Sequence, residues 1–140
     1  MDLPLESIHK QAFKAAETAA CAGDQGQYWE MHDQLFANQK ALAPEQLRTY
    51  AEALQLDLGE FDSCLESNKH AQAIRRDIAT ARAAGLTSTP SFGVGFTDPK
   101  NPNKVKVVRT LRGAQPFSAF KSTLDGLLSQ VKNPPPTAPQ

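Results

Sequence analysis

Between Gly85 and Ser91 the chain changes its hydrophobic period, and that change constrains the fold more than any other feature. Upstream, apolar residues recur at three- and four-residue intervals, the signature of amphipathic helices. Downstream, residues 91–96 and 104–111 are rich in Val, Phe and Thr, and T-D-P-K-N-P-N between them is turn chemistry. These two runs read as a β-hairpin with a long loop. A lone hairpin is marginal in water, so something more must pair with it.

The upstream block divides into five helices. From about His9 to Gly23 the sequence is alanine-rich, with Phe13, Ala16 and Ala20 on one stripe. Tyr28–Asn38 follows, where Tyr28, Met31 and Leu35 form one row and Trp29, His32 and Phe36 the row beside it. Pro44 opens a third helix with Leu47, Tyr50, Ala51 and Leu54 inward. Asp57, three residues before Glu60, caps a short fourth helix carrying Phe61, Cys64 and Leu65. The fifth runs from about Lys69 to Ala84 with Ile74, Ile78 and Ala81 inward, and Gly85 is a natural residue to end it. Residues 2–5 read as a short extended piece, because Pro4 disfavours the helical region for Leu3. After the hairpin, Pro116 starts a last helix on which Phe117, Phe120, Leu124, Leu127, Leu128 and Val131 make a wide apolar stripe.

Composition excludes several function classes. Lys and Arg total 15 and so do Asp and Glu, with the basic residues scattered, so no footprint for nucleic acid is expected. No run of about 18 apolar residues exists to span a bilayer. M-D-L-P-L-E-S-I-H has neither a basic n-region nor a long apolar h-region, so no secretory signal is expected. The G-V-G-F at 93–96 is not a phosphate loop, since no helix follows it. It reads as a strand weakened by glycine. Pro90 opens the first strand, where a residue lacking an N–H belongs. The Thr89–Pro90 joint reads either as an ordinary loop-to-strand connection or as a cis bond that holds a backbone edge open.

Four stretches in order carry a family likeness: C-A-G-D-Q-G-Q-Y-W-E-M-H-D-Q-L-F from Cys21, F-D-S-C-L from Phe61, T-S-T-P-S-F from Thr87, and R-G-A-Q-P-F from Arg112. Together they resemble DsbA-like thiol:disulfide oxidoreductases, over residues 3 to about 131. The resemblance implies an α/β, thioredoxin-like fold with an inserted α-helical domain, incomplete at the N-terminus. Residues 1–8 would be the end of a core strand and 9–68 the helical insert. Residues 69–131 would supply a core helix, the hairpin and the last helix, with 132–140 an extended Pro-rich tail. Pro90 matches the family's cis-proline, and Thr89 the residue whose backbone meets a substrate peptide. The implied partners are polypeptides bearing thiols or disulfides, added as an extra strand. The implied compartment is extracytoplasmic, and no cofactor is implied.

One departure from the family is decisive for chemistry. The family's redox centre is a C-x-x-C at a helix N-terminus, where the helix dipole stabilises a thiolate. This chain has two cysteines, Cys21 and Cys64, and no C-x-x-C. By resemblance the first strand, that motif and the first helix would lie upstream of Met1. Thiol–disulfide exchange needs an attacking thiolate and a resolving partner, so no catalytic residue is assigned. The expected protein is thus the C-terminal portion of an oxidoreductase, inactive in redox exchange as an isolated chain. The alternative is a redox-dead thioredoxin-like module that binds proteins.

For Cys21 and Cys64 the resemblance implies a structural disulfide; the other reading is two buried reduced thiols. His32 reads as a packed, hydrogen-bonded core histidine, Trp29 and Phe36 as core of the insert, and His9 and His70 as exposed. Three separated histidines and two distant cysteines have no recognisable metal spacing, so no metal is expected.

Overall fold

The computed structural model describes residues 2–132, so the tail at 133–140 lies outside the described residues. Eight elements follow in order: α1 (Ala12–Gly23), α2 (Tyr28–Ala37), α3 (Pro44–Ala53), α4 (Leu58–Glu66), α5 (Ala71–Ala83), β1 (Ser91–Asp98), β2 (Asn101–Arg112) and α6 (Phe117–Lys132). The described residues form two compact units, one within residues 2–86 and one within residues 87–132.

The first unit is helical, and its core is the stripe pattern of the sequence made solid. Cys21, Ala22, Met31, Leu35, Leu47, Ala51, Leu56, Phe61 and Cys64 are buried in one cluster. The small residues of α1 permit the close approach of α2 and α4. Asp57 caps α4 as its spacing predicts, its carboxylate accepting the Glu60 N–H at 2.9 Å. Helices α3 and α4 end on residues of positive φ, Gln55 (57°) and Asn68 (51°), and α5 on Gly85 (71°). In each case the next N–H reaches back to satisfy a helix carbonyl: Leu56 to Ala51, Lys69 to Cys64, Leu86 to Ala81.

Two boundaries differ from the sequence expectation. Helix α1 begins at Ala12 rather than near His9, because the Ile8 and His9 amides turn back onto the Leu5 carbonyl. Residues 2–5 form no strand, since the sheet among the described residues contains only β1 and β2. The Asp2 N–H instead donates to the Asp77 carboxylate at 2.9 Å.

In the second unit β1 and β2 pair antiparallel, Ser91 opposite Arg112 and Phe92 opposite Leu111. The long loop expected over T-D-P-K-N-P-N is a tight connection through Pro99 and Lys100. Asp98 accepts the Lys100 N–H and Asn101 the Asn103 N–H, which closes the turn locally and lets both strands run on. A bulge falls between Val94 and Gly95, where a Cβ on Gly95 would lie 2.0 Å from the Lys106 carbonyl oxygen. Only glycine fits there. On α6, Phe120 packs edge-on against Phe92 with ring centroids 4.9 Å apart, and Leu127 is buried. Phe117, Leu124, Leu128 and Val131, the rest of the predicted stripe, are exposed.

Candidate functional site

Among the described residues, strand β1 is hydrogen-bonded to β2 along one edge only. Its entry is Ser88-Thr89-Pro90, in which Thr89 and Pro90 are exposed. The Thr89–Pro90 peptide bond is cis. The Pro90 carbonyl is held by the Gly113 N–H at 2.8 Å, which ties the head of β1 to the end of β2. The Ser91 hydroxyl closes the loop onto the Ser88 carbonyl at 2.7 Å. Among the described residues the Thr89 N–H and C=O have no hydrogen-bond partner. An exposed, unpaired peptide group at the head of a one-sided strand is what an added strand would meet.

The first unit holds the second candidate. Cys21 on α1 and Cys64 on α4 form a disulfide, Cα atoms 5.9 Å apart, both residues buried. The free-thiol reading of these two residues does not describe this structure. Around the bridge stands a polar group that the sequence reading missed. The Asp24 carboxylate accepts from Lys69 Nζ and pairs with His70 Nε2, each at 2.9 Å to the same oxygen. That oxygen lies 3.6 Å from Cys64 Sγ, a contact only, since a bridged sulfur has no proton to donate. The His70 ring N–H first, then the Lys69 ammonium, hold the Asp24 carboxyl below the ordinary carboxylate range. His70 is therefore not the free surface residue expected; its side chain is 24% exposed. A signal did exist. Asp24 follows Cys21 by three positions, and Lys69–His70 straddle the turn after α4, so bonding the cysteines brings both helix ends together.

The α2 aromatics correct a second expectation. Trp29 is 68% exposed and Phe36 63%, so neither is core. His32 is half-buried, its Nδ1 3.1 Å from the Asp33 carboxylate and its ring 4.5 Å from that of Phe36. The row Tyr28, Met31, Leu35 takes the face turned toward α1 and α3, and the adjacent row turns outward. The two rows lie about 100° apart around the helix, so packing on one side buries only one of them.

Among the described residues, six helices and an antiparallel hairpin make a mixed α/β chain. Residues 2–111 match the sequence model of the thioredoxin family, and the chain belongs to that family. It is similar to Na(+)/H(+) antiporter NhaA 3 of Salinispora tropica, 38% identical over 86% of this chain and 18% of that protein. It is similar also to Na(+)/H(+) antiporter NhaA 1 of Salinispora arenicola, 46% identical over 66% of this chain and 14% of that one. A third relative, NhaA 1 of Mycobacterium sp., is 33% identical over 80% of the chain and 19% of the relative. The chain thus spans under a fifth of the length of these proteins. No solved structure matches. No helix of the described residues is long and apolar enough to cross a membrane.

Proposed function

We propose that this chain is the peptide-binding portion of a DsbA-like thiol:disulfide oxidoreductase domain, carried within a longer polypeptide. The observation that supports it best is the entry to β1: Thr89 exposed with an unpaired peptide group, at the head of a strand that among the described residues is bonded on one side only. A polypeptide bearing thiols or disulfides would add there as a further strand, its main chain supplying affinity. The chain itself contains no C-x-x-C, and its two cysteines are bonded to each other. The isolated chain therefore binds without exchanging disulfides. A disulfide fits an extracytoplasmic setting, where thiols oxidise and stay oxidised. The transport named for the relatives stays with those proteins, of which the stretch similar to this chain is a small part.

The test is a titration of the full chain with an extended, cysteine-containing peptide, followed by amide chemical shifts. Shifts clustering at residues 88–94 support the reading, and shifts confined to the helical unit end it. An insulin-reduction assay on the same sample is expected to match the uncatalysed rate. Turnover that vanishes on Cys21→Ala or Cys64→Ala would overturn the assignment of the bridge as structural.

A further inference from the structure

Cys21 Sγ, Cys64 Sγ and a ring nitrogen of His70 lie within 4.8 Å of one another. The Asp24 carboxylate touches two of the three, 3.6 Å from Cys64 Sγ and 2.9 Å from His70 Nε2. Two sulfurs, an imidazole and a carboxylate are a donor set suited to zinc. In a tetrahedral zinc site with metal–ligand bonds of about 2.0–2.3 Å, ligand atoms stand about 3.3–3.8 Å apart. Once the sulfur–sulfur bond is gone, the two sulfurs must separate from bonding distance by between about one and two ångströms, and the widest pair of donors must close by about one. We propose that, with its disulfide reduced, this chain binds one zinc-class divalent cation through Cys21, Cys64, His70 and Asp24.

The chemistry balances. A dithiol reductant delivers two electrons and two protons to the Cys21–Cys64 bond and is itself oxidised to a disulfide. The metal then displaces the two thiol protons to solvent and takes both thiolates. His70 now donates its Nε2–H to the Asp24 carboxylate. On metal binding the ring gives up that proton through solvent and keeps one proton on Nδ1, which frees the Nε2 lone pair for the metal. Two thiolates and a carboxylate around a divalent ion leave the site one negative charge in excess. The Lys69 ammonium, already 2.9 Å from Asp24, neutralises it. Asp24 and His70 are each partly open, with side chains 34% and 24% exposed, so the ion enters from that side while the buried sulfurs form the floor. The fold would hold the same two helices together in either redox state, by a bond when oxidised and by a metal when reduced.

Cobalt(II) tests this directly, because thiolate ligation gives a near-ultraviolet charge-transfer band and tetrahedral coordination gives intense visible bands. The full chain is reduced with a dithiol, freed of reductant by gel filtration under nitrogen, and titrated. One cobalt per chain with both signatures, displaced by zinc, is the expected result; the oxidised chain shows neither. His70→Ala and Asp24→Asn are each expected to weaken binding about tenfold or more. Circular dichroism of their oxidised forms checks that both variants fold. If reduction alone melts the helices, adding cobalt must restore the helical signal together with the bands. A reduced chain that shows no bands, or either variant binding as tightly as the parent, overturns the proposal.

Discussion

Cys21 and Cys64 stand 43 positions apart, and the bridge between them removes conformational freedom chiefly from the unfolded chain. A loop of that length is worth about 4 kcal/mol in the chain-entropy account. The double variant Cys21→Ser/Cys64→Ser is expected to lose about that much, read as a lower denaturant midpoint for the helical signal. A midpoint unchanged from the oxidised parent would show that the helices need no clamp. Tyr28 makes a separate, pH-dependent contribution. Burial first, then the charge of Asp2, raises its pKa above the ordinary 10.0. Ionisation is thus resisted in the folded chain and met first in the unfolded one. This contribution is intact below pH 10.0 and declines as pH rises through the raised folded value. Tyr28→Phe is expected to flatten the alkaline loss of stability, measured as denaturant midpoints across a pH series. Equal slopes for parent and variant would assign that loss to other groups.

Glycines in β1 and α6 show how one residue type has opposite meanings in different elements. At Gly95 an added methyl would meet the Lys106 carbonyl oxygen at 2.0 Å and Val107 Cα at 2.8 Å, backbone atoms that cannot swing aside. Gly95→Ala is expected to disrupt the bulge and cost about 1–3 kcal/mol, seen as loss of amide protection along β1 and β2. At Gly126, on the exposed side of α6, nothing lies within 4 Å of the added atom. Gly126→Ala is expected to gain about 0.5–1 kcal/mol by helix propensity alone. If both substitutions have the same sign, the bulge geometry is not what selects Gly95. Gly95 lies on the strand that Thr89 and Pro90 lead into, so disrupting it is expected to weaken the peptide addition proposed at Thr89.

At the scale of the molecule, every residue of the buried helical cluster lies within residues 1–86. That segment, expressed by itself, is expected to keep its disulfide and unfold in one cooperative transition. Residues 87–132 alone are expected to melt without cooperativity, since a two-stranded sheet and one helix bury little. Thermal melts followed by circular dichroism decide it, and a non-cooperative 1–86 fragment would show that these residues do not fold as a unit by themselves. What the sequence by itself determined is whatever depends on local period and chain direction. The helix order, the Asp57 cap, the Gly85 stop and the hairpin after Pro90 all follow from residues within a few positions of one another. What only the tertiary structure decided depends on which of two adjacent rows finds a neighbour, or on residues distant in the chain. Trp29 and Met31 sit on one helix with similar apolar character, and packing against α1 and α3 buried Met31 and left Trp29 in water. Asp24 and His70 are 46 positions apart, and no local pattern joins them. They meet because α1 and α4 are clamped at Cys21 and Cys64, which carries the helix ends and their side chains to one place.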